Sequence, residues 1–267
     1  MPYAAVNDIR MYYEESGQGE PLVLLHGAVG GIEAMSGWPM LADRLAQHYH
    51  VFTIEYRGHG RTDNPAGSLS YAQIADDLAQ FVQHMGIAPV HLAGVSDGAT
   101  IGMALGMSRP ELMRSLVAIG ANIYMDDLLR ESIGFFDPES IEAEHPEYAE
   151  TFAHRHDPHH YPGYWKDLVR QIRANAEAEL VWTEDDLRRV PTPTLLIFGE
   201  NDIFVSRQQM FDMRDWLPNA EMLVLNHAGL DGRSSHLPQF TRPDVTEAVM
   251  VEFLCRHACL VEPAKSD

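Results

Sequence analysis

VHLAGVSDGATIGMALGM, residues 90–107, is the stretch that decides how this chain is read. Val90 to Val95 has the composition of a buried strand, and Asp97 to Met107, rich in Ala, Gly and Met, suits a helix packed in the middle of a fold. Between them stands Gly94-Val95-Ser96-Asp97-Gly98. A serine forced into so tight a strand-to-helix turn is presented outward, and the residues two before and two after it must be small because the strained backbone leaves no room for larger ones. G-x-S-x-G alone also occurs in ordinary turns; the strand before it and the helix after it make Ser96 a candidate nucleophile. Asp97 at the apex would put the bulky Val95 where the turn needs a small residue. Its simpler role is an acid in the first turn of a helix, stabilised by the macrodipole by about 0.3–1 kcal/mol.

Outward from that stretch, short β-type runs alternate with longer helical patterns, as in a parallel sheet covered by helices on both faces. Strands are expected at Ile9 to Glu15, Pro21 to Leu25, His50 to Glu55 and Arg114 to Ile119, and helices at Trp38 to Gln47 and Tyr71 to Met85. In the second helix Ile74, Leu78, Phe81, Val82 and Met85 recur at helical spacing. At Gly120 the alternation stops. From about Asn122 to Arg189 no convincing strand is found, and the composition turns to acidic helix-formers, histidines and aromatics. The pattern resumes with a strand in Pro191 to Gly199, a helix at Arg207 to Trp216, a strand at Ala220 to Leu225 and a helix from about Asp244 to His257. The chain thus divides into an α/β core over 1–121 and 191–262, a helical insertion over 122–190 and a tail over 263–267.

Composition narrows the function. Among 267 residues, 19 Lys+Arg face 39 Asp+Glu, a net charge of −20, and Lys166 and Lys265 are the only lysines. A groove that tracks phosphates needs clustered cations, so neither nucleic acid nor an anionic membrane surface is an expected partner. No window approaches the ~20 apolar residues that cross a bilayer, and Met1-Pro2-Tyr3 opens no signal peptide, so a cytoplasmic protein is expected. A hydrophobic content of 45% is enough for one large core. Cys255 and Cys259, four apart on a predicted helix, read as free thiols.

Two further stretches extend the pattern: His26-Gly27-Ala28 after a strand, and Glu55-Tyr56-Arg57-Gly58-His59-Gly60-Arg61-Thr62. With the serine turn they resemble the α/β-hydrolase superfamily, in its serine-nucleophile, esterase-like branch. The second is similar to that family's D-x-R-G-x-G-x-S turn, with Glu55 and Thr62 as departures. The resemblance implies a mostly parallel central sheet flanked by helices, with a helical lid inserted after the sixth strand, and no cofactor. It makes the backbone N–H groups of Ala28 and Asp97 the oxyanion donors, whereas His26 is expected to be structural. The acid and base should follow the insertion in the chain order Ser, Asp, His. Gly199-Glu200-Asn201-Asp202 offers Asp202 as the acid, with Glu200 as the alternative. The histidine departs from the common pattern, because Asn226-His227-Ala228-Gly229 is followed by Leu230 where relatives carry histidine. His227 comes early, directly after a strand. His236 is followed seven residues on by Pro243 at the start of the last helix, which selects it and makes Leu230 to Ser235 a local insertion.

The implied reaction is acyl transfer from a small ester, thioester, lactone or amide to water through a Ser96-His236-Asp202 triad. A perhydrolase or a C–C bond hydrolase would use the same residues; a non-hydrolytic, receptor-like member of the same fold is a further alternative, against which the intact triad argues. Phe135 and Trp182 stand out among the insertion's aromatics as substrate contacts. The Ser-Asp-Gly turn also resembles that of amino-acid ester hydrolases, so Asp97 is a candidate to attract a substrate ammonium. His154, His156, His159 and His160 lie in HRHDPHH, where the aspartate follows His156 too closely for an H-x-H-x-D-H metal set; the segment reads as a solvated, proline-broken loop.

Overall fold

Runs that are apolar at every position can be buried only in strands covered on both faces, and they become the middle of the sheet. The computed structural model describes residues 2–34, 37–226, 228–229 and 235–258. Among them the strands are β1 (Tyr3–Val6), β2 (Ile9–Ser16), β3 (Pro21–Leu25), β4 (His50–Glu55), β5 (Val90–Val95), β6 (Met113–Ile119), β7 (Thr194–Gly199) and β8 (Ala220–Leu225). They form one sheet in the order β1-β2-β4-β3-β5-β6-β7-β8, parallel from β4 to β8 and antiparallel at the β1 and β2 edge. β1 is the strand that the pattern did not suggest. It is four residues long and half exposed, and it is held as a hairpin arm on β2 by a turn with Asn7 at φ 47°.

The helices are α1 (Ala42–Leu45), α2 (Tyr71–His84), α3 (Asp97–Ser108), α4 (Asp127–Ser132), α5 (Pro138–Glu144), α6 (Pro146–His156), α7 (Tyr164–Glu179), α8 (Glu184–Leu187) and α9 (Arg207–Trp216), followed by Pro238–Thr241 and the C-terminal Pro243–Arg256. The helix expected over Trp38 to Gln47 shrinks to α1. Trp38 is tied by its indole N–H to the Leu25 carbonyl at 3.0 Å, and the chain must already turn back into β4 at His50. α4 to α8 all lie between β6 and β7. Their own apolar cluster of Ile141, Ala149, Phe152, Tyr164, Trp165, Leu168, Val169 and Ile172 takes in Val29 from the loop after β3. HRHDPHH is not a solvated loop throughout: α6 runs through His156, which is wholly buried, while His154 and His159 are exposed.

The strand order turns around between β3 and β5, so the loops at their carboxyl ends diverge and leave a crevice, the usual ligand position in open α/β sheets. Ala28 and Ser96 both stand there. Among the described residues no helix is long and apolar enough to cross a membrane. Cys255 is a free, exposed thiol; Cys259, His227, Leu230 and the 263–267 tail lie outside the described residues.

Candidate active site

Ser96 sits between β5 and α3 at φ 53° and ψ −120°, a backbone state that costs a non-glycine residue about 1–3 kcal/mol. Its neighbours show why the motif demands small residues. A Cβ on Gly94 would lie 2.2 Å from the Gly98 carbonyl oxygen, and one on Gly98 would lie 2.6 Å from that of His26. The Ser96 N–H is anchored to the Ile119 carbonyl at 2.7 Å. Among the described residues the N–H groups of Ala28 and Asp97 donate to no backbone carbonyl. No hydrogen bond joins the Ser96 hydroxyl to His236 there either; such contacts often tighten only with substrate bound.

Asp202 follows β7, and both its oxygens are engaged. Oδ1 accepts from the backbone N–H groups of Phe204 at 2.8 Å and Val205 at 3.2 Å, and Oδ2 lies 2.7 Å from Nδ1 of His236. A carboxylate acceptor there puts the proton on Nδ1 and leaves Nε2 as the basic nitrogen. The imidazole is nearly buried, with Phe204 packed at 4.8 Å between ring centroids. On another side a Cβ at Gly120 would come 2.8 Å from its Cε1. Glu200, the alternative acid, pairs with Arg207 at 3.8 Å instead.

Ala28, Ser96, Asp97 and His236 line one cavity of about 570 Å³, otherwise walled mainly by apolar side chains that include Phe135, Phe136 and Phe152. Trp182 is not in that wall. It packs edge-on against Tyr71, with ring centroids 6.5 Å apart, and so buttresses a wall residue from behind. The Tyr71 hydroxyl donates to Asp97 Oδ1 at 3.0 Å. Burial pushes the Asp97 carboxyl up to about 6, against the opposing pull of Tyr71 and His236.

Three features of the site lacked a sequence signal. Arg155 lines the cavity, half-buried, with Nη1 donating to the Val29 carbonyl at 3.1 Å. Among the described residues no carboxylate pairs with it, and burial lowers its pKa against a longer-range pull from Glu55 and Glu33. Its position between two histidines in HRH carried no hint of this. Tyr71, the acid's partner, looked like an ordinary helix start. Behind the loop after β3, His26, Tyr56, His59 and His156 stack as a buried aromatic wall, His26 on Tyr56 at 4.2 Å and His59 edge-on to His156 at 5.8 Å. Burial holds His26 down to about 3 and His59 and His156 well below the usual imidazole range. His26 does not reach the cavity. Glu55, standing where the related motif has Asp, accepts from the Arg61 backbone N–H at 2.8 Å and from its guanidinium, so the longer acid still closes that turn.

Comparison with known proteins gives the same architecture. The sequence profile of the alpha/beta hydrolase family matches residues 22–249. A putative carbamate hydrolase RutD of Azorhizobium caulinodans is 26% identical over 95% of this chain and 98% of its own. The 2-hydroxy-6-oxo-6-(2'-aminophenyl)hexa-2,4-dienoic acid hydrolase of Metapseudomonas resinovorans is 24% identical over 94% of this chain and 90% of its own. The fold of a meta-cleavage product hydrolase from Pseudomonas fluorescens superposes with a TM-score of 0.79 at 20% identity, over 96% of this chain and 98% of that one.

Proposed function

The chain belongs to the α/β-hydrolase family, and from that premise we propose that it is a serine hydrolase acting on a small acyl compound through Ser96, His236 and Asp202. One observation carries the reading: a serine held at φ 53° on a strand-to-helix turn shares a cavity of about 570 Å³ with a histidine whose Nδ1 lies 2.7 Å from a buried carboxylate. In this mechanism His236 Nε2 takes the Ser96 proton as the oxygen attacks the acyl carbon. The oxyanion is received by the N–H groups of Ala28 and Asp97, the second of them at the N-terminus of α3 where the helix dipole adds to it. His236 then protonates the leaving group, and water repeats the sequence on the acyl-enzyme. Asp202 holds the imidazole in one tautomer. Residues 122–190 serve as the lid that closes the pocket, with Phe135 in its wall.

Arg155, with no carboxylate partner among the described residues, supports a substrate that carries a carboxylate, because a half-buried guanidinium facing an apolar cavity gains most from an anionic ligand. The M. resinovorans relative acts on a dienoic acid, which favours the same class. A second reading is hydrolysis of a C–C bond beside a ketone by the same three residues, which the 6-oxo group in the name of that relative's substrate favours.

Labelling with a fluorophosphonate followed by peptide mass spectrometry is expected to mark Ser96, and Ser96→Ala to abolish it. Failure to label Ser96 in folded protein overturns the mechanism. A neutral ester and a hemi-ester of a dicarboxylic acid, sharing one leaving group, test the carboxylate. Arg155→Met should cost the anionic ester at least ~10-fold more in kcat/KM than the neutral one. Alanine and acetate esters compared in the same assay test Asp97 as an ammonium receptor, since any preference for alanine should vanish in Asp97→Asn.

A further inference from the structure

Val29, next to Ala28, has φ 43°. A β-branched residue in the left-handed region is a true outlier, and it persists only where its surroundings over-determine it. It occupies the third position of a turn closed by the Gly30 N–H on the Gly27 carbonyl at 3.1 Å, a place that favours glycine when φ is positive. Its surroundings belong to the insertion. The Val29 side chain, 7% exposed, sits in the insertion's own apolar cluster among Ile141, Phe152, Trp165 and Ile172. Its carbonyl accepts from Arg155 Nη1 at 3.1 Å and lies 3.3 Å from His156 Nε2. The Gly60 N–H donates to His156 Nδ1 at 2.9 Å, so the neutral ring carries its proton on Nε2 and donates to Val29.

We infer that Arg155 and His156, at the end of α6, are positioning residues that hold the loop after β3 in a strained form, so that the Ala28 N–H faces the oxyanion only while α6 is seated. The inference rests on the proposed role of Ala28. Were Val29 to relax to negative φ, the peptide planes of the turn would rotate and carry the Ala28 N–H off its line to the cavity. The cavity and its oxyanion donor are thereby linked to the seating of a helix more than a hundred residues along the chain.

A kinetic double-mutant cycle on a neutral p-nitrophenyl ester tests this, with Ser96 labelling of the unaltered protein as the control. Losing one oxyanion donor outright costs 10²–10³ in kcat. His156→Phe, which keeps the ring and removes the donor, should therefore lower kcat at least ~10-fold with KM within ~2-fold. His156→Gln, whose amide can donate to Val29 and accept from Gly60, should recover most of the loss. In a Val29→Gly background, where positive φ carries no penalty, His156→Phe should cost less than ~3-fold. If His156→Phe does not fold, Arg155→Met against Val29→Gly provides the same cycle. An unchanged kcat, or equal losses in both backgrounds, overturns the inference and leaves these residues as packing. Absence of labelling in the unaltered protein overturns the hydrolase reading instead.

Discussion

Asp97→Asn should stabilise the protein, and only above a defined pH. In the fold the Asp97 carboxyl is raised from its ordinary 3.8 to about 6, because burial in the cavity wall penalises its charge by more than the Tyr71 hydrogen bond and His236 offset. The folded state therefore binds the proton more tightly than the unfolded chain. Below about 3.8 both states are protonated and no cost arises. Between 3.8 and 6 stability falls as the pH rises, and above about 6 the full cost is present. A rise of that size corresponds to about 3 kcal/mol. Part of the carboxylate opens on the cavity, where solvent screens it, so ~2 kcal/mol is the better figure. Asparagine keeps the shape and the acceptor for Tyr71 but carries no charge. Urea unfolding of both proteins from pH 3.5 to 8 should show equal stability at the acid end and a variant ~2 kcal/mol more stable at pH 7.5. A difference that does not change with pH, or a variant less stable at pH 7.5, would refute the reasoning. A protein that keeps such an acid beside its nucleophile gives up stability there, as functional sites commonly do.

Acid should destabilise the fold through its histidine wall. His26 is held at about 3 against an ordinary 6.5, so its stabilising share is complete above 6.5 and is lost as the pH falls toward 3; it amounts to about 5 kcal/mol. His59 and His156 act in the same direction, and a denaturation midpoint that stays level between pH 6.5 and 4 would contradict this. Gly120→Ala places a Cβ 2.8 Å from His236 Cε1 at φ 62°, and should lower kcat/KM at least ~10-fold while the protein still folds; undiminished turnover would show that His236 is free to move. Asp202→Asn should lower kcat by roughly 10³–10⁴, because an amide facing Nδ1 favours the wrong tautomer, and a loss under ~10-fold in single-turnover assays would remove Asp202 from the mechanism.

Strands β3, β4, β5 and β8 and helix α9 begin and end where their residue patterns place them, since each is a run of one period bounded by a turn. The serine turn was equally legible, because steric exclusion around Ser96 acts on residues two positions away and writes itself into Gly94 and Gly98. β1 was not, being too short for a period to register, and α1 was overestimated because the return into β4 cuts it off. The charged and strained parts of the site were the least legible. Arg155 and His156 reach Val29 across 126 and 127 residues, and Tyr71 reaches Asp97 across 26.

By itself the sequence determined which segments become strands and helices, where the chain turns tightly and which residue types stand at those turns, because these follow from local sterics and the burial of periodic apolar faces. Only the tertiary structure decided that Asp202 rather than Glu200 faces His236, that Trp182 stands behind the wall and Arg155 in it, and that the proton affinity of Asp97 is raised. Desolvation and charge pairing depend on what comes within a few ångströms in space, and residues far apart along the chain leave no local pattern that foretells their meeting.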